Sequence, residues 1–251
     1  MKEKLAIMNL RDIKEIFDRH GIRYWLDWGT LLGAIRDGKI IPWDHDIDLG
    51  TTDDNWEKIV SAIPDLKKKG FKISLLRAEL YKNIFEKHVF IYRFGCYVDI
   101  DVYTVKGENH LLVFDVSNNL ISCGLRVLQY LLSSQFVCEE TWATSCIAKC
   151  FVKILRCCLS LFPSKLKITF SEIVRQVRMR GFAKIMLITI PKRYFIDLGT
   201  KSFYGMKFNI PSNCEDYLKN HYGENWKTPK KKWDWLQEDG MVRNLDKRNP
   251  D

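Results

Sequence analysis

The sequence predicts an α+β fold: a mixed sheet flanked by helices, with a mainly helical middle and C-terminal region. Three observations carry this. Short runs of alternating or β-branched apolar residues concentrate before residue 117. Helical patterns with start and stop signals stand between them. After residue 117 the texture turns to helical periodicity rich in Leu, Ile, Cys, Lys and Arg. A chain of 251 residues can bury a sizeable core, and 46% hydrophobic residues with 13% aromatics exclude a disordered chain.

Residues 4–20 form the first expected helix, with Leu10, Ile13, Ile16 and Phe17 on one face and Gly21 as its stop. Residues 22–28 are expected as a strand, 30–38 as a short helix starting at Thr30, and 46–51 as an alternating strand. A helix over 53–70 takes Asp53 or Asp54 as N-cap and is broken or restarted at Pro64. Strands follow at 71–77, 87–94, 96–105 and 110–116, with a tight turn at Gly95. "TFSE" (169–172) has the form of a capping box, with Thr169 as N-cap and Glu172 reaching back. "SNCE" (212–215) is a second, opening a helix near Asn213 that ends at Tyr222-Gly223. The expected organisation is a catalytic core over 1–116, a helical region over 117–200, and a C-terminal block over 201–251 that packs back on the core and ends in a polar tail.

The formal charge of +9 favours an anionic partner: nucleic acid, a membrane surface or a phosphorylated substrate. A generic basic surface explains the charge equally well. The eight cysteines suit reduced thiols in a cytoplasm. The start, "MKEKLAIMNLRDIKEIF", is charged throughout and lacks the apolar run of a signal peptide. No uncharged apolar run reaches the roughly 18 residues of a membrane span.

Chemistry concentrates in "WGTLLGAIRDGKIIPWDHDIDLG" (28–50). Asp46 and Asp48 sit two apart on a strand, so their side chains share a face. Asp99 and Asp101 repeat the arrangement in "YVDIDVY". Ile47, Leu49, Val98, Ile100 and Val102 then face the core. Carboxylates gathered this way repel one another, and a divalent cation removes the problem. Mg²⁺, or Mn²⁺, is therefore the expected cofactor. Gly29 lets backbone amides approach a phosphate, and the helix starting near Thr30 aims its positive end at it. Arg36 is a further phosphate candidate. Trp43 either stacks on a base or cation or serves as packing, and His45 is expected to face the core.

The Gly-Thr turn followed by D-x-D is the pattern of the nucleotidyltransferase fold. The longer string resembles the LicD family, which includes bacterial phosphocholine transferases, fukutin and fukutin-related protein. Thr30, Leu31, Leu32, Gly33, Arg36, Gly38, Ile40, Ile41, Pro42, Trp43, Asp44, Asp46 and Asp48 fit its pattern. "YVDIDVY" resembles the family's second acidic strand, and "FNIPSNCEDYLKNHYGENWKTP" (208–229) its C-terminal block. Many relatives have a second glycine where this chain has Trp28.

The resemblance implies transfer of phosphocholine or an alditol phosphate from a CDP-linked donor to a sugar hydroxyl, on a cell-surface glycan such as lipopolysaccharide or teichoic acid, or on its lipid-linked precursor. Asp46, Asp48 and Asp99 are then the catalytic and metal-binding residues, with Asp44 and Asp101 as further ligand candidates. Gly29, Thr30, Arg36 and Trp43 bind substrate. Two rivals stay open: a nucleotidyltransferase using a free NTP on RNA, protein or a small molecule, and an inactive membrane-surface module. Nucleic acid is not the expected partner, because the chain shows no stacking-rich RNA module.

"CIAKCFVKILRCCLSLF" (146–162) places Lys149, Lys153 and Arg156 on one helical face with apolar residues around the remainder. That pattern suits an interfacial helix on an anionic membrane, and equally a helix covering the protein's own core. The expected location is cytoplasmic, either free or peripheral at the inner membrane face. Cys146, Cys150, Cys157 and Cys158 leave a zinc site open, though without histidine and without C-x-x-C spacing.

Overall fold

The computed structural model describes residues 3–81, 84–132, 157–159, 161–178 and 183–244. The chain forms two compact units. The first takes Met1–Ile73, Val89–Leu112 and Ile188–Arg243; the second takes Ser74–His88, Val113–Leu187 and Asn244–Asp251.

The first unit opens with α1 (Glu3–Arg19), which buries Leu10, Ile13, Ile16 and Phe17 as its periodicity predicts. Gly21, at φ +61°, turns the chain, and the Ile22 amide closes back on the Phe17 carbonyl at 3.0 Å. Next come β1 (Tyr24–Leu26), α2 (Trp28–Arg36) and β2 (Asp46–Thr52). α2 starts two residues before the expected Thr30, because Asp27 caps it: the Asp27 carboxylate accepts from the Trp28 amide at 3.0 Å.

A short 3₁₀ turn (Asp53–Asn55) leads into α3 (Trp56–Lys68). Thr52 is the N-cap of the 3₁₀ turn and Asn55 that of α3, so neither expected aspartate takes the cap position. Pro64 lies inside α3 without breaking it. The carbonyl that this proline leaves unbonded belongs to Val60, an exposed residue, so water can satisfy it.

The strands β3 (Lys72–Tyr81), β4 (Ile84–Arg93), β5 (Cys96–Lys106) and β6 (Asn109–Asp115) follow. Phe94 and Gly95, both at positive φ, make the two-residue turn between β4 and β5. The sheet order is β1-β2-β5-β6-β7-β10, where β7 is Ile185–Pro191 and β10 is Val242–Asn244. β4 pairs with both β3 and β5. β2 and β5 run parallel, whereas β1–β2 and β5–β6 are antiparallel, so the sheet is mixed. Ile47, Leu49, Val98, Ile100 and Val102 are fully buried or nearly so, as expected.

β7 falls inside the stretch whose pattern reads as mostly helical. Its β-branched run, Ile185, Ile188, Thr189 and Ile190, favours a strand once sheet neighbours are present. A hairpin of β8 (Gly199–Phe203) and β9 (Met206–Ile210) follows a short α6 (Arg193–Ile196). α7 (Cys214–Tyr222) is capped by Gly223 as predicted. A short α8 (Trp235–Glu238) precedes β10.

In the second unit, α4 (Leu120–Leu132) packs on α5 (Ser164–Val177). α5 begins five residues before the expected cap. Thr169 is therefore mid-helix, and its hydroxyl donates to the Lys165 carbonyl at 3.0 Å. Arg178, only 1% exposed, pairs with Asp115 and donates to Gln129. Residues 146–156, including Cys146 and Cys150, lie outside the described residues, and with them most of the basic apolar segment and its zinc option. Cys157 and Cys158 are exposed.

Candidate active site

Three carboxylates converge at the start of β2. Asp44, Asp46 and Asp48 each offer an oxygen, and the three oxygens lie within 4.8 Å of one another. Strand alternation puts Asp46 and Asp48 on one face. The turn before the strand, closed by the Asp44 amide on the Ile41 carbonyl at 3.0 Å, swings Asp44 to join them. The parallel register sets Asp48 opposite Asp99, and Gly50 opposite Asp101.

The N-terminus of α2 meets this cluster directly. The Thr30 amide donates to Asp48 Oδ2 at 3.2 Å, and Thr30 Oγ1 accepts from the Asp48 amide at 2.8 Å. At Gly29 a Cβ atom would stand 2.5 Å from Asp44 Oδ2 and 3.1 Å from Asp48 Oδ2. Only glycine lets the positive end of the helix come so close.

Burial raises the Asp48 carboxyl well above its usual range, and Asp46, Asp44, Asp99 and Asp101 push it further. Asp44 is pushed up to about 6, first by burial and then by Asp46. This is a site where negative charge is concentrated beyond what the nearby amides offset.

The other expected residues fall as follows. The Thr30 amide, expected to meet a phosphate, is directed at Asp48. Arg36 is at the opposite end of α2, about 10 Å along the axis from Gly29. There it grips Asp37 through Nε at 2.9 Å and Nη2 at 2.7 Å. Trp43 is half-buried beside Asp44, with Lys231 Nζ 5.9 Å from its ring centroid. His45 is exposed rather than core-facing, because it precedes the first residue of β2 and strand alternation does not govern it.

Sequence reasoning missed Asp27. It is fully buried and accepts four hydrogen bonds: from Trp25 Nε1 at 3.2 Å, the Trp28 amide at 3.0 Å, Tyr103 OH at 2.8 Å and Tyr217 OH at 2.6 Å. Burial pushes its carboxyl up to about 6, although the two tyrosine hydroxyls pull it down. Gly50 makes room for this network, since a Cβ there would lie 2.3 Å from Trp25 Nε1 and 2.5 Å from Asp27 Oδ2. Trp28 sits at φ +39°, a left-handed conformation that glycine adopts more easily. Beside it lies His221, ring centroids 4.8 Å apart, with Nδ1 on Asp239 Oδ2 at 2.6 Å. The one sequence signal for Asp27 was a lone carboxylate between aromatic residues in "YWLDW".

The LicD/FKTN/FKRP nucleotidyltransferase domain matches residues 21–120, the segment that holds Asp27, Asp44, Asp46, Asp48, Asp99 and Asp101. That segment belongs to the LicD family. Human ribitol 5-phosphate transferase FKRP is 55% identical over 40 residues, 16% of this chain and 8% of its own length. An uncharacterized protein of Rickettsia prowazekii, RP689, is 35% identical over 78 residues, 31% of this chain and 29% of its own. The matches to these relatives thus span less than a third of the relatives' length. The lipopolysaccharide cholinephosphotransferase LicD of Haemophilus influenzae aligns over 91% of both chains, at 22% identity. No helix among the described residues is long and apolar enough to cross a membrane.

Proposed function

We propose that this LicD-family protein is a metal-dependent transferase. It moves phosphocholine or an alditol phosphate from a CDP-linked donor to a sugar hydroxyl on a cell-surface glycan or its lipid-linked precursor. The observation that carries this is the convergence of Asp44, Asp46 and Asp48 on the N-terminus of α2, with Asp99 in register beside Asp48. The names of the FKRP and LicD relatives support the class of reaction.

The donor set is all carboxylate oxygen, which suits Mg²⁺ or Mn²⁺. Asp46, Asp48 and Asp99 would hold the ion, with Asp44 and Asp101 as further candidates. When bound, it offsets charge on the phosphoryl group in transfer. The chain's own residues do the rest. Thr30 fixes Asp48 through two hydrogen bonds, its amide donating to the carboxylate and its hydroxyl oxygen accepting from the Asp48 amide. The acceptor hydroxyl attacks phosphorus, the bond to the CMP oxygen breaks, and the hydroxyl proton passes to Asp99. Arg36, held by Asp37, has no part in this scheme. A peripheral position at the cytoplasmic membrane face fits a lipid-linked acceptor.

A thermal-shift panel with Mn²⁺ tests the reading, setting CMP, CDP, CDP-choline, CDP-ribitol and CDP-glycerol against ATP, GTP, UTP and CTP. Selective stabilisation by one CDP-alcohol, lost in Asp46→Asn, is expected. Stabilisation by free NTPs with no preference for CDP-alcohols would replace it with the nucleotidyltransferase reading.

A further inference from the structure

The first unit also holds a pocket that shares no residue with the Asp44, Asp46 and Asp48 cluster. Tyr24 on β1 pairs with Thr51 on β2, so it shares the sheet face of Ile47 and Leu49, opposite that of Asp46 and Asp48. A cavity of about 320 Å³ opens there, walled by α1, β1, β8 and β9. That volume is at the lower end for small-molecule sites.

The lining is chemically specific. Tyr24 is 3% exposed, yet its hydroxyl has no hydrogen-bond partner among the described residues. An unmet buried hydroxyl costs about 1–3 kcal/mol, so such groups are normally satisfied. Lys14 Nζ bonds Asp18 at 2.7 Å and lies 5.4 Å from the centroid of the Phe208 ring. Lys207 has no ion-pair partner among the described residues. Asn209 spends its amide N–H on the Tyr24 carbonyl at 2.8 Å, which leaves its side-chain oxygen as an acceptor.

We propose that this pocket binds a phosphorylated sugar. Two ammonium groups against one carboxylate leave a net positive charge for the phosphate. Asp18 and Asn209 supply acceptors for sugar hydroxyls, and Tyr24 supplies a donor. No residue is shared with the carboxylate cluster, so occupancy does not depend on a divalent ion or on the transferase reading.

The test is a titration of the full chain in EDTA with glucose 6-phosphate, glucose and inorganic phosphate, followed by ¹H–¹⁵N NMR. Saturable shifts with the sugar phosphate are expected at Thr200, Lys207 and Asn209, with weaker binding of the other two compounds. Tyr24→Phe should weaken binding about tenfold while leaving the ligand-free melting temperature unchanged or higher, because the unmet hydroxyl is gone. Lys207→Glu should abolish binding. No saturable shift, affinities unchanged in both variants, or equal affinity for inorganic phosphate would overturn the proposal. None of these results bears on the CDP-alcohol panel, so the two ideas fail separately.

Discussion

Two groups of aspartates in the first unit meet opposite fates. Asp12, on α1, faces cations: Arg93 Nη2 at 2.5 Å and Lys69 Nζ at 3.3 Å. Burial raises its carboxyl, but these two partners outweigh it and bring the carboxyl below the usual range. Arg93 also donates to Asn9 Oδ1 at 2.8 Å and to the Lys69 carbonyl at 2.7 Å, and packs over Phe71. Asp48 is also partly buried, but the charged groups acting most strongly on it are four more aspartates. The first arrangement is complete within the chain. The second has backbone amides and a helix end that offset only part of its charge. The contrast is what the proposed metal site predicts: the chain supplies the cation at Asp12 and would take one from outside at Asp48.

The largest test of that contrast is Asp48→Asn. Mn²⁺ affinity should fall at least about 100-fold, equivalent to roughly 3 kcal/mol. The metal-free melting temperature should hold or rise, because one like charge is gone. Calorimetric titration with Mn²⁺ and a melt in EDTA check both parts; unchanged metal affinity would end the comparison.

Arg93→Met should do the reverse. It strands Asn9 and Asp12 and should cost about 2–4 kcal/mol in urea unfolding, in line with breaking a buried pair. Mn²⁺ affinity should stay within about twofold, since additivity holds for distant sites. A variant that lost metal binding without losing stability would show the two regions to be one.

The smallest effect separates them by pH. The folded carboxyl of Asp44 is raised to about 6, so between about pH 4 and 6 the native state holds more protons than the unfolded chain. Stability of the metal-free protein should therefore fall as pH rises through that window, by about 1–2 kcal/mol after allowing for screening at a half-buried group. Asp44→Asn should make the slope shallower, leaving the part that Asp27 and Asp48, also raised by burial, contribute. Asp12 has the opposite sign: its stabilisation is present above the unfolded carboxylate value near 4 and is lost as pH falls through its lower folded value. Melts in EDTA across pH 3–7 resolve the two limbs.

How much of this was legible beforehand depended on distance along the chain. The Asp46/Asp48 face, the glycine beside it and the second acidic strand follow from alternation and local spacing. Alternation gave each pair its face, and the Asp48–Asp99 register then needed only the two strands to lie side by side. The start of α2 was misplaced by two residues because Asp27 looked like part of a strand. Its cap is a local bond to Trp28, but the buried network around it needs Tyr103 and Tyr217, 76 and 190 residues further on. Arg36 carried the right charge, but helix rise takes it to the wrong end. Thr169 had a capping signature that a longer helix absorbed.

The bond from Tyr217 to Asp27 also sets a timetable. At about 5–20 residues per second, a ribosome needs about 10–40 s to add the residues between them. Throughout that interval Asp27 lacks the hydroxyl that completes its network. The first acidic motif is thus made early and secured late. Contacts of such long sequence separation slow folding. The growing chain must keep a carboxylate-rich, half-assembled sheet soluble until α7 emerges.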